Sequence, residues 1–320
     1  MIVIIEYNGF RLNNEVMKNL IMELQHILNK LRDKNEIAII EKYSHSTKLY
    51  TVLIMTIGIC SICSVIIVQI WFNINNVDLQ VNSSDPYYLI IMEYFIDQRK
   101  YFYLILLHIN AVIYIGIITL LGIGIMLITY FKHICGMLRI ASYRIERAIN
   151  IDILQNFTLK NKIWMIEGII CAVDTHQQAM KLCLNFLSTF EVMIFMMIGC
   201  LVLCFSFNLF QLFQTAVSTN NEFLLPAVYT VISMLYLFIT NLVGQSITNN
   251  NNHIFDTVYN VQWYRAPLHI QKMILFLLQR GSKEFTLNVY GLVDGSIENF
   301  AMLIKASVSY FTIICSTRSI

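Results

Sequence analysis

The polar side chains able to do chemistry in this sequence sit inside apolar runs, and they are few. Glu298, Asn299, Lys305, Ser307, Ser309 and Thr312 interrupt SIENFAMLIKASVSYFTIICS (296–316). They form no catalytic constellation, and the chain carries no HExxH, GxSxG or phosphate-cradling glycine loop. No enzyme is expected. Polar groups in an apolar helix turn away from lipid, toward a bundle interior or water. Two readings follow for 296–316: a helix facing the bundle, or a helix lining a pore whose apolar outer end gates by excluding water. His108 and Asn110 lie in another apolar run. They suit a hydrogen bond between helices or a polar contact to a ligand. Cys60 and Cys63 form a CxxC with no second pair. Buried apolar thiols are expected there, with no metal and no cofactor. Gly122-Ile123-Gly124 is a lone pair expected to mark close helix packing.

The elements that position these residues follow from composition. Of 320 residues 57% are hydrophobic and 13% charged, with a mean hydropathy of +0.62. Soluble domains carry roughly 25% charge, so a soluble enzyme is excluded. A helix crosses the hydrocarbon core with about 20 apolar residues. Runs meeting this cover about 49–72, 101–131, 186–213 and 223–247, and 296–316 is a fifth, more polar one. Backbone groups in lipid must bond internally, so each run reads as a helix. The fold class is all-α, a polytopic membrane helix bundle with five spans.

Lys and Arg set the orientation. Segments 1–48, 132–185 and 248–295 together hold eighteen, and the alternate segments 73–100, 214–222 and the C-terminal tail hold three. The bias puts the N-terminus in the cytoplasm and the C-terminus outside. The cytoplasmic segments are not bare linker. Residues 1–48 form a cytoplasmic helical segment, of which 11–48 reads as one helix, with Val16, Leu20, Met22, Leu24, Ile27 and Leu31 near helical spacing. Residues 132–185 form a helical loop, and 248–285 a helix pair broken near Pro267. The run Thr248–His253 (TNNNNH) is expected to end the fourth span in water, and His133, His176 and His253 to be solvated at span ends. Asn82-Ser83-Ser84 is an outside sequon, whereas Asn156-Phe157-Thr158 falls inside and is discounted. Aromatics from Trp71 to Tyr103 crowd the outer ends of spans. They read as an interfacial belt or as the lining of an apolar pocket opening outward.

Several motifs carry a resemblance. YNVQWY (259–264), APLHIQKMILFLLQR (266–280) and GLVDGSIENFAMLIKASVSYFTII (291–314), with its Ser309-Tyr310-Phe311, are joined upstream by YFIDQRKYFYLILLH (94–108), HICGMLRIASYRIER (133–147) and HQQAMKLCLNFLSTFE (176–191). Together they resemble insect odorant receptors, the hymenopteran-type tuning receptors in particular. The resemblance covers essentially the whole chain. It implies a seven-span plasma-membrane protein that binds a small apolar odorant in the lipid bilayer. It also implies a ligand-gated, non-selective cation channel, built as a heterotetramer with the odorant receptor co-receptor; no nucleic acid is expected as a partner.

In such receptors the last span is split. Its cytoplasmic part would anchor the subunits, here with Trp263, Tyr264, Gln271 and Leu275, and its membrane part, 286–320, would line the pore. Counting from Tyr310, the gate positions fall on Ile313 and Thr317 and the polar pore position on Ser316. Thr317 departs from the usual apolar gate residue and Ser316 from the usual Gln. The five runs resemble spans three to seven, so two spans and one wall of the odorant pocket are not represented. Trp71, His108, Tyr114 and Tyr236 are the pocket candidates in the spans that are. The alternatives are a truncated or non-functional receptor fragment, or a gustatory receptor of the same superfamily. A G-protein-coupled receptor is disfavoured by the external C-terminus, and a transporter by the lack of internal repeats.

Overall fold

The computed structural model describes residues 2–79, 101–149, 158–217, 224–281 and 285–318. Among these the chain is almost wholly helical. Two short helices, α1 (Ile2–Leu12) and α2 (Asn14–Asn29), precede α3 (Lys34–Leu79), α4 (Phe102–Ala148), α5 (Leu159–Val217) and α6 (Leu224–Asn260). A 3-10 turn at Trp263–Arg265, α7 (Leu268–Gly281), a hairpin of β1 (Asn288–Val289) with β2 (Val293–Asp294), and α8 (Ile297–Arg318) complete it. Five helices are long and apolar enough to cross a membrane: α3, α4, α5, α6 and α8. The expected all-α membrane bundle is the fold.

The long helices alternate in direction. Arg144 near the end of α4 meets Glu36 at the start of α3, and His176 early in α5 meets Asn251 late in α6. At the opposite end Phe213 of α5 stands edge-on to Phe311 of α8, centroids 5.9 Å apart. All the helix extensions rich in Lys and Arg therefore gather at one end, called here the charged end.

Burial is concentrated at that end. Ile134, Met137, Leu138, Ala141 and Ile145 recur at helical spacing on α4 and are almost fully enclosed. They meet Met165, Ile169, Ala172, Ala179, Leu182 and Phe186 of α5, Met17, Leu20 and Leu24 of α2, and Ile247, Ile254 and Val258 of α6 in one core. Along the apolar spans the opposite holds: Val52, Leu53 and Ile59 on α3 and Leu107, Ile115 and Ile118 on α4 are exposed. Both follow from the solvent. Helices in water must hide their apolar stripe, whereas helices in lipid have no hydrophobic drive to associate.

Three expectations about the helices change. Residues 11–48 are two helices, not one, because Lys30–Asp33 breaks the pattern. There Asp33 caps α3, its Oδ1 accepting the Asn35 N–H at 3.0 Å. The asparagine run does not end α6 in water: the helix continues to Asn260, Asn251 is buried, and Asn250 bonds the Tyr43 hydroxyl. Gly122 and Gly124 do not mark close packing, since a Cβ at either would meet nothing within 4 Å. The close backbone approach lies elsewhere. A Cβ on Gly244 of α6 would stand 2.6 Å from the Gly295 carbonyl oxygen, where the hairpin leads into α8.

The hairpin is short and tightly held. Gly291 (φ 69°) takes a left-handed turn conformation that glycine adopts without steric cost. Tyr290 (φ 52°) is kept there by its N–H, which donates to Glu191 Oε1 at 2.8 Å, and by its ring, edge-on to Phe195 at 5.5 Å.

Candidate ligand cavity and pore helix

Between the middle of the spans and the charged end, the long helices part around a cavity of about 330 Å³. Its walls are Ile54, Ile57 and Gly58 of α3, Ile117 to Phe131 of α4, Phe186 to Leu201 of α5, and Ile232 to Gly244 of α6. Leu287, Val289 and Val293 of the hairpin close the floor, and Leu303 of α8 and Glu6 of α1 also reach it. The lining is aliphatic with three aromatic rings, Phe131, Phe186 and Tyr236. Apolar area and shape, with few polar groups, suit a small apolar molecule. Gly124 on the wall now has a reason: its missing side chain leaves room in the cavity.

Of the pocket candidates, Tyr236 lines this cavity, and its hydroxyl donates to Glu6 Oε1 at 3.3 Å. His108 is exposed and Tyr114 half-buried, both toward the other end of α4 and away from the cavity. Trp71 lies on α3, but its side chain falls outside those described, as do the side chains of most of the outer aromatics and both sequon asparagines. Glu6 was not among the candidates; the signal for it was a lone carboxylate in the apolar stretch IVIIEYNGF.

The second candidate site is α8. One face packs on α5 and α6: Ser206 Oγ donates to the Ser307 carbonyl at 3.0 Å, and the Asn299 amide donates to Asn241 Oδ1 at 3.3 Å. The other face is exposed. Glu298, Lys305, Ser309, Thr312 and Ser316 recur along it at helical spacing, with Ile313 and Thr317 beside them near the end. The polar residues thus divide, Asn299 and Ser307 turning inward to α5 and α6 and the rest standing on the exposed face.

At the charged end the 3-10 turn sets Trp263 and Tyr264 edge to face, centroids 6.3 Å apart. Gln271 Nε2 donates to the Tyr264 and Ala266 carbonyls at 2.9 and 2.8 Å, tying α7 to the turn. Leu275 is exposed on α7 together with Leu268 and Phe276. The three span-end histidines are engaged rather than solvated, His133 Nδ1 pairing with the Thr129 carbonyl at 2.7 Å. His176 bonds Asn251 and stands edge-on to Phe255, and His253 lies among Arg139, Ser142 and Thr257. Both sit on helix extensions beyond the apolar spans. Burial holds their pKa below the usual imidazole range, and Arg139 adds to this at His253. Cys60 and Cys63 lie on the outer surface of the apolar span of α3, where lipid would enclose them.

The family model described as "7tm Odorant receptor" matches residues 9–308. This chain belongs to the odorant receptor family. It is a multi-pass membrane protein of that family, with five of its helices suited to span. Among curated relatives, odorant receptor 67c of Drosophila melanogaster is 22% identical over 48% of this chain and 37% of its own length. Odorant receptor 22c of the same fly is 21% identical over 57% of this chain and 45% of its own. The matched region thus spans less than half the length of these curated relatives. The structure of the insect olfactory receptor OR5 from Machilis hrabei, solved in complex with eugenol, superposes with a TM-score of 0.75 at 11% identity. It covers 99% of this chain and 78% of that one, and shows the shared fold.

Proposed function

We propose that this receptor-family chain is an odorant-tuning subunit: it binds a small volatile or apolar molecule and opens a non-selective cation pore assembled with the odorant receptor co-receptor. The observation that carries the proposal is the outer face of α8, where Glu298, Lys305, Ser309, Thr312 and Ser316 line up exposed. Lys305 in particular would be costly against lipid. A helix of this kind is at home beside water in an oligomer, with Ile313 narrowing the path and Ser316 and Thr317 beside it. The cavity supports the ligand half of the reading, and binding of eugenol by the OR5 relative agrees with it.

In this arrangement the charged end faces the cytoplasm and α8 ends outside, as the Lys and Arg bias indicates. The apolar stripe of α7, Leu268, Leu275 and Phe276, together with Tyr264, forms the subunit contact. The cavity floor is the hairpin that leads into α8, so a ligand pressing on Val289 and Val293 acts directly on the start of the pore helix. The test is co-expression with the co-receptor and recording of currents to an odorant panel. Ligand-evoked cation current is expected. A chain that reaches the surface with its partner yet never conducts would sink the idea.

A further inference from the structure

Glu6 is fully buried on the cavity wall, with 0% of its surface exposed. Its Oε1 accepts a hydrogen bond from the Tyr236 hydroxyl, and its Oε2 has no hydrogen-bond partner among the described residues. The other polar side chains on the wall are engaged. Ser61 Oγ donates to the Gly58 carbonyl at 2.7 Å, Thr240 Oγ1 to that of Leu237 at 3.0 Å, and Asn241 Nδ2 to that of Leu237 at 2.8 Å. Asp294 Oδ1 accepts the Asn288 amide at 2.8 Å. The charge balance of the wall is one-sided: Glu6 and Asp294 are carboxyls, and no Lys, Arg or His is among the described lining residues. A buried carboxyl oxygen without a donor is costly to keep, and the group that relieves it best is a charged donor carried on an apolar body.

We propose that the cavity takes a small apolar amine, its ammonium group donating to Glu6 Oε2 while its hydrocarbon part fills the aliphatic wall. This rests on the reading of the chain as a small-molecule receptor and names the class of ligand. A site built around an unpartnered acceptor rejects the analogue that cannot donate to it. Carboxylic acids meet repulsion from Glu6 and Asp294, and hydrocarbons leave Oε2 as it is.

The experiment measures binding, so that it is separable from conduction. The chain is reconstituted in nanodiscs and its thermal midpoint followed against cyclohexylamine, cyclohexanol and methylcyclohexane. Cyclohexylamine is expected to raise the midpoint at lower concentration than the other two. Glu6→Gln, which keeps the size and an acceptor oxygen but removes the charge, is expected to weaken amine binding about ten-fold or more and to leave the hydrocarbon unchanged. Glu6→Asp is expected to retain the amine preference. Equal shifts by the three compounds in the unsubstituted chain, or undiminished amine binding in Glu6→Gln, overturns the proposal. A chain that binds the amine through Glu6 but conducts for no ligand contradicts the channel reading alone. One that conducts to neutral odorants but shows no amine preference contradicts this inference alone.

Discussion

Arg144 joins three helices by itself. Its Nε and Nη2 donate to Glu36 Oε1 and Oε2 at 2.6 and 2.9 Å, and its Nη1 to Thr175 Oγ1 at 2.6 Å. The pair is largely enclosed, with side-chain exposures of 18% and 8%, and the Glu36 carboxylate raises the guanidinium pKa. Removing one partner strands the other, a loss of about 3–5 kcal/mol for a buried pair and less for one partly reached by water. Arg144→Ala should therefore lower the thermal midpoint sharply and cut surface expression, whereas Arg144→Lys, lacking the planar fork, should recover only part. At the cavity, a Cβ at Gly124 meets nothing within 4 Å, so the side chain of Gly124→Leu is directed into part of the 330 Å³. Its expected signature is a raised half-maximal ligand concentration at normal surface expression, read by dose-response. Gly244→Ala is the opposite case. Its Cβ would press on the Gly295 backbone, which cannot swing aside, so the start of α8 shifts and both folding yield and response should fall. These residues differ in how legible they were. Tyr236 was chosen as an aromatic inside a span, but its partner Glu6 stands 230 positions away, and no local pattern connects them.

The helices divide by solvent, and so should their tolerance of substitution. Leu138 is fully enclosed at the charged end, so Leu138→Ala should cost about 2–5 kcal/mol through lost burial and the cavity left behind. Leu107 on the same helix is 71% exposed along the span, and Leu107→Ala should change the midpoint little. Parallel unfolding scans of the two variants in detergent check the contrast. The histidine seam of α5 and α6 adds a pH dependence. Burial depresses the pKa of His176 and His253, the latter against the opposing pull of Asp256 and Glu146. The unfolded imidazoles take up protons near pH 6.5 and the folded ones only lower. The seam therefore contributes fully above about pH 6.5 and loses that contribution as pH falls through the folded values. The midpoint should drop between about pH 7.5 and about pH 5.5, with a smaller drop in His176→Asn/His253→Asn. The spans themselves were legible, because hydrocarbon thickness demands a run that little else produces. Their extensions were legible as helices but not as a seam. An asparagine run looks like a solvated end until Tyr43 and His176 arrive from other helices to pair with it.

At the scale of the molecule the cavity, the hairpin and α8 are contiguous. The hairpin floors the cavity, is fastened to α5 through Glu191 and Tyr290, and continues into α8, which exposes its polar face to whatever adjoins it. The polarity of the last span was legible as a departure from lipid-facing composition. Its division into an inward Asn299–Ser307 face and an outward Lys305–Ser316 face was not, because α5 and α6 decide which face packs. The most direct test of the account is cysteine accessibility on α8 in the chain co-expressed with the co-receptor. Cys315 is first replaced by Ser, and Ser316→Cys, Ile313→Cys and, as the inward control, Ser307→Cys are then made. A charged thiol reagent is applied from outside during ligand-evoked current. The account predicts that modification at Ser316→Cys and Ile313→Cys blocks the current while Ser307→Cys is unaffected. Ligand-evoked current that survives modification at both outward positions would contradict it.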